Sequence, residues 1–494
     1  MRHTQAVGCP LLIFFKGHGR PKHGTFDDKR CRAGSVPGSK AEDRGRCLRD
    51  TLVEEASNPD GAGEGDQPKK KGQDKVINSL SNSLMTDTLK PRDAKDVEDA
   101  VQWALGEGKA LEVVGHGSKR AIGRPAQSDL TLDLSGLSGV TLYEPQELVL
   151  SAKAGTPLVE IEALVAANGQ MLAFEPMNYG PILAGAPERG TLGGALAANL
   201  SGPRRIKAGA ARDHFLGFSA VSGRGETFRS GGRVVKNVTG YDLGKLMAGS
   251  WGTLAVMTEM TIKVLPQPET ETTLIAFGLD ESAAVRAMST AMGLPCEVSG
   301  AAHLPAAVAA RIPVGEITAT GRALTVLRLE GVEPSVAHRK VVLQAALKGF
   351  AEIGWCSGIV SRDLWRAVRD VTPFGASRTG GDRPLWRIST APSRGAELGR
   401  AVAAEGEAEM IYDWAGGLLW VVVAPADDAG AALVRRAVMT YGGHATLIRA
   451  PMAARAALDV FEPQEAGLAA LTRRVKNSFD PKAILNPGRM WAGS

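Results

Sequence analysis

The segment from Tyr241 to Val264 constrains the fold more than any other stretch of the chain. It reads as a helix, a glycine-rich turn and a strand: Tyr241 to Met247 supplies one or two helical turns, Gly249 and Gly252 bracket a tight loop, and Leu254 to Val264 alternates apolar with polar residues. Such alternation belongs to a half-buried strand. Glycine at 252 also lets the backbone of Gly252 and Thr253 come close to a bulky ligand.

Around this segment the chain changes character twice. Residues 1–84 are rich in Gly, Pro, Ser and charge without sustained periodicity, so they are expected to be a disordered extension, with the natural start at Met85. From Asp93, which can cap a helix, Ala94, Val97, Val101, Ala104 and Leu105 share one face until Gly106 and Gly108. Strands are expected at Ala110 to Val114, Leu130 to Leu134 and Leu148 to Ala154, followed by a helix capped by Thr156, begun by Pro157 and closed at Asn168-Gly169. Beyond Pro268 the pattern becomes strands at Thr273 to Phe277, Leu324 to Glu330, Leu385 to Ser389 and Leu418 to Val423. Helices near Ser282 to Met292, Val336 to Phe350 and Ala431 to Tyr441 separate them. That order fits a split βαβ, ferredoxin-like unit, and the whole reads as α+β.

Charge and cysteine usage exclude several functions. Residues 1–84 hold fifteen Lys and Arg against eleven Asp and Glu, leaving 43 against 42 in the remainder. A nearly neutral body lacks the concentrated basic face that a polyphosphate chain requires, so no nucleic-acid partner is expected. Of five cysteines only Cys296 and Cys356 lie beyond residue 84, and no Cys-x-x-Cys spacing occurs; no metal is expected in the chain, and the compartment reads as cytoplasmic. No apolar run approaches the length of a membrane span. Any membrane association is therefore expected to be peripheral or through a partner.

Two glycine elements carry the chemistry. Gly115-His116-Gly117-Ser118-Lys119 follows a buried strand, and its backbone N–H groups, hydroxyl and ammonium can turn toward phosphate oxygens. Pro187-Glu188-Arg189-Gly190-Thr191-Leu192-Gly193-Gly194 runs into a helix of very small residues ending at Asn199, which lets that helix lie close against a ligand or against its neighbours. Gly202-Pro203-Arg204-Arg205 and Arg212-Asp213 follow.

In this order and spacing, these elements and the opening segment resemble the FAD domain of the vanillyl-alcohol-oxidase, or PCMH-type, FAD-linked oxidases. Met171 to Pro176, Lys236-Asn237-Val238, Leu385 to Ser389, Asp413 to Gly417, Gly442 to Thr446 and Asn486 to Met490 narrow the resemblance to the FAD-binding E subunits of bacterial glycolate oxidases. The resemblance implies a PCMH-type FAD-binding domain over residues 85–268, an α+β cap over 269–469 and a C-terminal return to the FAD domain over 470–494. It implies FAD contacts at Gly115, His116, Gly117, Ser118, Lys119, Pro187, Gly190, Thr191, Gly193, Gly194, Asn199, Tyr241, Gly252, Thr253, Val256 and Asn486. Relatives that bind FAD covalently use a histidine where Ser118 stands, so noncovalent FAD is expected. The implied partners are a larger FAD subunit and an iron–sulfur subunit, the implied reaction the oxidation of glycolate to glyoxylate.

The cap departs from the pattern. Flavin subunits that oxidise 2-hydroxy acids carry a cap pair of histidines, whereas no two histidines of this body lie closer than 35 residues apart. What remains are Arg387, Asp413 and His444, which can converge on a small hydroxy acid, Arg387 holding its carboxylate. The same Trp-Arg and Asp-Trp pairs also suit domain or subunit seams. A self-sufficient dehydrogenase for D-lactate or 2-hydroxyglutarate, and a non-catalytic scaffold, stay open as alternatives at this point.

Overall fold

The computed structural model describes residues 88–232, 240–379 and 383–493. The expectations for residues 1–84 and for Lys236-Asn237-Val238 lie outside the described residues.

The first strands build two sheets. Strands β1 (Thr88–Leu89), β2 (Leu111–Val114) and β3 (Leu130–Asp133) form a small parallel sheet in the order β1-β3-β2. Helix α1 (Ala94–Glu107) connects the first two, with Asp93 accepting from the Lys95 and Asp96 N–H groups, Gly108 closing it in the left-handed region, and Val97, Ala100, Val101 and Ala104 buried. Strands β4 (Val140–Glu144) and β5 (Val149–Lys153) enter an antiparallel sheet. Helix α2 (Leu158–Ala166), strand β6 (Gln170–Met171) and helix α3 (Leu192–Ala198) follow, then β7 (Phe215–Ser222), β8 (Thr227–Gly231) and β9 (Ala255–Lys263), giving the sheet order β4-β5-β9-β7-β8. Strand β10 (Leu265–Pro266) pairs with β6. Thr156 does not cap α2: its hydroxyl donates to the Lys153 and Gly139 carbonyls, and Pro157 occupies the cap position.

The cap is larger than the single ferredoxin-like unit that the pattern predicts. Strand β11 (Thr270–Phe277), α4 (Glu281–Met292), β12 (Gly300–Leu304), β13 (Leu324–Gly331), α5 (Glu333–Leu347) and β14 (Glu352–Ser357) make one βαββαβ unit. After helix α6 (Gly358–Arg369), a second follows: β15 (Leu385–Ser389), α7 (Gly395–Glu405), β16 (Ala408–Asp413), β17 (Leu418–Val423), α8 (Ala431–Tyr441) and β18 (His444–Arg449). The eight strands join as β14-β11-β13-β12-β16-β17-β15-β18, with His303 opposite Tyr412 at the junction. The four strands expected from the pattern are the first and third of each unit. The others were illegible because β12 is Ala- and Gly-rich, with low strand propensity, and β14, β16 and β18 begin in polar or small residues.

Helix α9 (Ala466–Phe479) begins the return. Its buried Lys476 donates to the Thr253 carbonyl (2.6 Å), the Leu485 carbonyl (3.0 Å) and Asp480 (2.8 Å), while Asp480 accepts from the Ile484 and Leu485 N–H groups. This clip lays Leu485 parallel to Leu111, extending the β2 edge. A lysine and an aspartate so fully satisfied hold the tail in one place.

Candidate functional site

Four separate pieces of chain meet in a cleft of about 770 Å³, counting its open mouth: the Gly115 to Arg120 loop after β2, the start of α3, the Trp251-Gly252 turn with Ala255 and Met257 of β9, and Asn486 with Arg489 from the tail. Asn486 ties three of them together. Its Oδ1 accepts from Val113 N–H (2.8 Å), its Nδ2 donates to the Trp251 carbonyl (2.8 Å), and its own N–H donates to the Leu111 carbonyl (2.9 Å). Gly252, at φ +71°, sits so close that a Cβ there would lie 2.7 Å from Asn486 Nδ2. At the other wall, Thr191 caps α3 by accepting from Gly194 N–H, and a Cβ on Gly115 would stand 2.6 Å from the Thr191 hydroxyl. Both approaches exist only because the side chains are absent.

Lys119 is the charge of this cleft. Its ammonium reaches Ser118 Oγ (3.2 Å) and lies 5.4 Å from the centre of the Tyr179 ring; among the described residues no carboxylate pairs with it. Desolvation lowers it from an ordinary 10.5 to about 8. Arg489, buried beneath, donates to the Lys119 carbonyl (2.8 Å) and is itself lowered to about 10 by desolvation, with Glu112 acting in the opposite sense. Ala154, Ala197, Ala255 and Met257 line the rest with apolar surface. An uncompensated cation over a backbone cradle, beside a wall of small apolar side chains, fits a diphosphate joined to flat aromatic rings. FAD has that form.

Of the residues expected here, Gly115, His116, Gly117, Ser118, Lys119, Thr191, Gly193, Gly194, Gly252 and Asn486 line the cleft. Six others lie elsewhere. Tyr241 is 89% exposed, and Pro187 is on an exposed loop. The Gly190 carbonyl accepts from Leu158 N–H at the head of α2, and Asn199 closes α3 while its Oδ1 accepts from Arg212 N–H. Thr253 bonds back to the Ser250 carbonyl on the far side of the turn. Val256 points into the core, because Ala255 and Met257 take the cleft-facing parity of β9. Trp251, Met257 and Arg489 were missed; Trp251 sits inside the Gly249 to Gly252 turn and could have been read from it, strand parity could have pointed to Met257, and Arg489 depends on the return of the tail.

The three cap candidates share one neighbourhood, although among the hydrogen bonds of the described residues none joins any two of them. Arg387, on β15, is buried with its guanidinium carbon 5.0 Å from the Trp414 ring centre and 5.9 Å from that of Trp420. Desolvation lowers it to about 10. Asp413 ends β16, accepts from Trp414 N–H (2.7 Å), and is pushed up to about 7 by burial, with Glu175 adding to the rise. His444 opens β18 opposite Ser389; desolvation, then the charges of Arg387 and Arg205, hold its imidazole below 6.5. Among the described residues no group of three or more His, Cys, Asp or Glu is arranged to hold a metal ion.

Cleft and fold together define an FAD-linked oxidoreductase with a PCMH-type FAD domain, and a family model described as an FAD binding domain matches residues 88–231. The crystal structure of p-cresol methylhydroxylase with substrate bound superposes over 86% of this chain and 98% of its own, with a TM-score of 0.62 at 14% identity, a likeness of fold. The glycolate oxidase subunit GlcE of Escherichia coli (strain K12) is 35% identical over 394 residues, 80% of this chain and 96% of that one. The subunit GlcD of Bacillus subtilis (strain 168) is 30% identical over 165 residues, 33% of each. The chain belongs to the GlcE family of glycolate oxidase subunits.

Proposed function

We propose that this chain is the FAD-carrying E-type subunit of a multi-subunit glycolate oxidase, which oxidises glycolate to glyoxylate. The observation that carries this reading is the cleft around Lys119, complete in a chain that matches GlcE along nearly all of GlcE's length. Residues 85–268 with 470–494 act as the cofactor-binding unit and 269–469 as the cap. Lys119 and the Gly115 to Ser118 backbone hold the diphosphate, the Thr191 to Gly194 turn closes over it, and Asn486 fixes the turn at Trp251. With Ser118 at the position of covalent attachment in relatives, the FAD is held noncovalently. Bound there, FAD supplies the two-electron acceptor that a 2-hydroxy acid requires. Electrons leave through a larger FAD subunit and an iron–sulfur subunit. Among the described residues no helix is long and apolar enough to cross a membrane, and we place the chain in the cytoplasm, attached to the inner membrane through those partners.

The purified full-length chain should be yellow, and acid precipitation should release FAD into the supernatant. A colourless protein that takes up no added FAD overturns the cofactor assignment. Bleaching of the flavin by glycolate only after the partner subunits are added supports the division of labour; bleaching by the isolated chain at about 1 per second or faster, an ordinary enzymatic rate, refutes it.

A further inference from the structure

The buried arginines of this chain differ in one respect. Arg328 is stacked on Trp365 but also donates to both oxygens of Glu175 (2.9 and 3.2 Å). Arg339, Arg449, Arg455 and Arg489 each donate to backbone carbonyls. Arg387, 8% exposed, donates to nothing among the described residues, although its guanidinium carries five N–H donors. Its contacts are the faces of Trp414 and Trp420. Asp413, whose charge acts on it, makes no ion pair with it among the described residues and accepts from Trp414 N–H.

A second arginine meets the same indole from the other side of the seam. Arg205, in the short helix Arg205–Ala208 that follows α3, has its guanidinium carbon 4.3 Å from the Trp414 ring centre, and among the described residues that guanidinium too makes no hydrogen bond or ion pair. Sharing one ring puts the two guanidinium carbons no more than about 9 Å apart. Neighbouring contacts hold both in place. Trp414 Nε1–H donates to the Gly202 carbonyl (3.1 Å), and Arg204 pairs with Glu175 (2.9 Å) and Glu330 (2.7 Å) across the seam. The region also adjoins the cofactor cleft, because the Tyr179 ring that faces Lys119 lies within electrostatic reach of Arg387.

We infer that Arg205 and Arg387 form a two-armed site for a small carboxylate anion between the cofactor-binding side and the cap. Arg387 is buried and Arg205 half-buried, and neither guanidinium has an acceptor among the described residues, so a carboxylate that reaches both by bidentate contact gains charge-assisted hydrogen bonds that the free protein does not make. Stacking on indole holds the planar groups in orientation without using their donors. That leaves every N–H free for the ligand. Identification of the anion as a 2-hydroxy acid rests on the proposed function; the anion site itself does not.

The test uses the full-length chain loaded with FAD and oxalate as the probe, a non-oxidisable two-carbon carboxylate, with binding measured calorimetrically. Arg205→Met and Arg387→Met should each weaken oxalate binding by about tenfold to a hundredfold, the loss expected for a charge-assisted contact, with Arg387→Lys falling between. Flavin content should be unchanged in all three. Without oxalate, Arg387→Met should melt above the wild type, since it removes an unpaired buried charge. Arg394→Met, on the exposed surface, serves as the control. Wild type that does not bind oxalate, variants that bind it as well as wild type does, or an Arg387→Met protein that melts below wild type overturns the site. Absence of flavin from the wild type would overturn the cofactor assignment instead, and oxalate binding would still decide the arginine pair.

Discussion

Substituting Lys119 by Met separates the stability of the cofactor-free protein from its affinity for FAD, and the two should move in opposite directions. The ammonium falls from 10.5 to about 8 on folding, chiefly through desolvation. At 1.36 kcal/mol per pH unit, that is a penalty of about 3.4 kcal/mol for keeping it charged near neutral pH. Residual contact with water reduces this to about 2 kcal/mol. The sign follows from the depressed pKa: the stability that a neutral amine provides is complete above 10.5 and is lost as pH falls through about 8. Met removes the charge and keeps the apolar stem, so flavin-free Lys119→Met should melt about 2 to 4 °C above flavin-free wild type at pH 7, and the difference should vanish near pH 10.5. FAD affinity should fall by about tenfold to a hundredfold, because a charged contact to the diphosphate is lost. Lys119→Arg should retain most of the binding. Calorimetric melts of stripped protein, with and without FAD, measure both quantities. A flavin-free Lys119→Met protein that melts lower, or one that binds FAD as wild type does, refutes the assignment of Lys119 to an anion.

Other consequences are equally direct. Gly115→Val places a branched side chain where even a Cβ would be 2.6 Å from the Thr191 hydroxyl, so the flavin-to-protein ratio should fall to near zero. Asn486→Ala leaves the Val113 N–H and Trp251 carbonyl without their partner; the cost should be about 1 to 3 kcal/mol in urea unfolding, with weaker FAD retention. Buried His303 donates to or accepts from Thr325 Oγ1 (2.9 Å) at the junction of the two cap units and is lowered from 6.5 to about 4, mainly by desolvation. Its depressed pKa contributes stability that is present above 6.5 and lost as pH falls through about 4, worth about 3 kcal/mol. His303→Gln, which keeps a bonding group without titrating, should flatten that part of the stability profile; an unchanged profile counts against His303.

Much of the architecture was legible because it is local. Asp93 and Gly108 bound α1, the Gly249 to Gly252 turn precedes β9, and LLWVVV at Leu418–Val423 can only be a buried strand. The glycine loops at 115–119 and 191–194 were likewise visible, since each uses neighbouring residues to make a backbone cradle. What the pattern could not supply was the number of cap units, because the short strands β12, β14, β16 and β18 gain their state from partners rather than from propensity.

The sequence by itself therefore determined the α+β class, the glycine cradle, the absence of a histidine pair and the presence of Lys119. Tertiary structure alone decided which of those residues meet. Strand parity put Met257 rather than Val256 toward the cleft, the Lys476–Asp480 clip brought Asn486 to Val113, and packing across the seam set Arg205 and Arg387 on one indole. The reason is physical: a cap, turn or amphipathic face is specified within a few residues of chain, whereas a charge's environment is set by whatever long-range packing removes its water and supplies or withholds its partner.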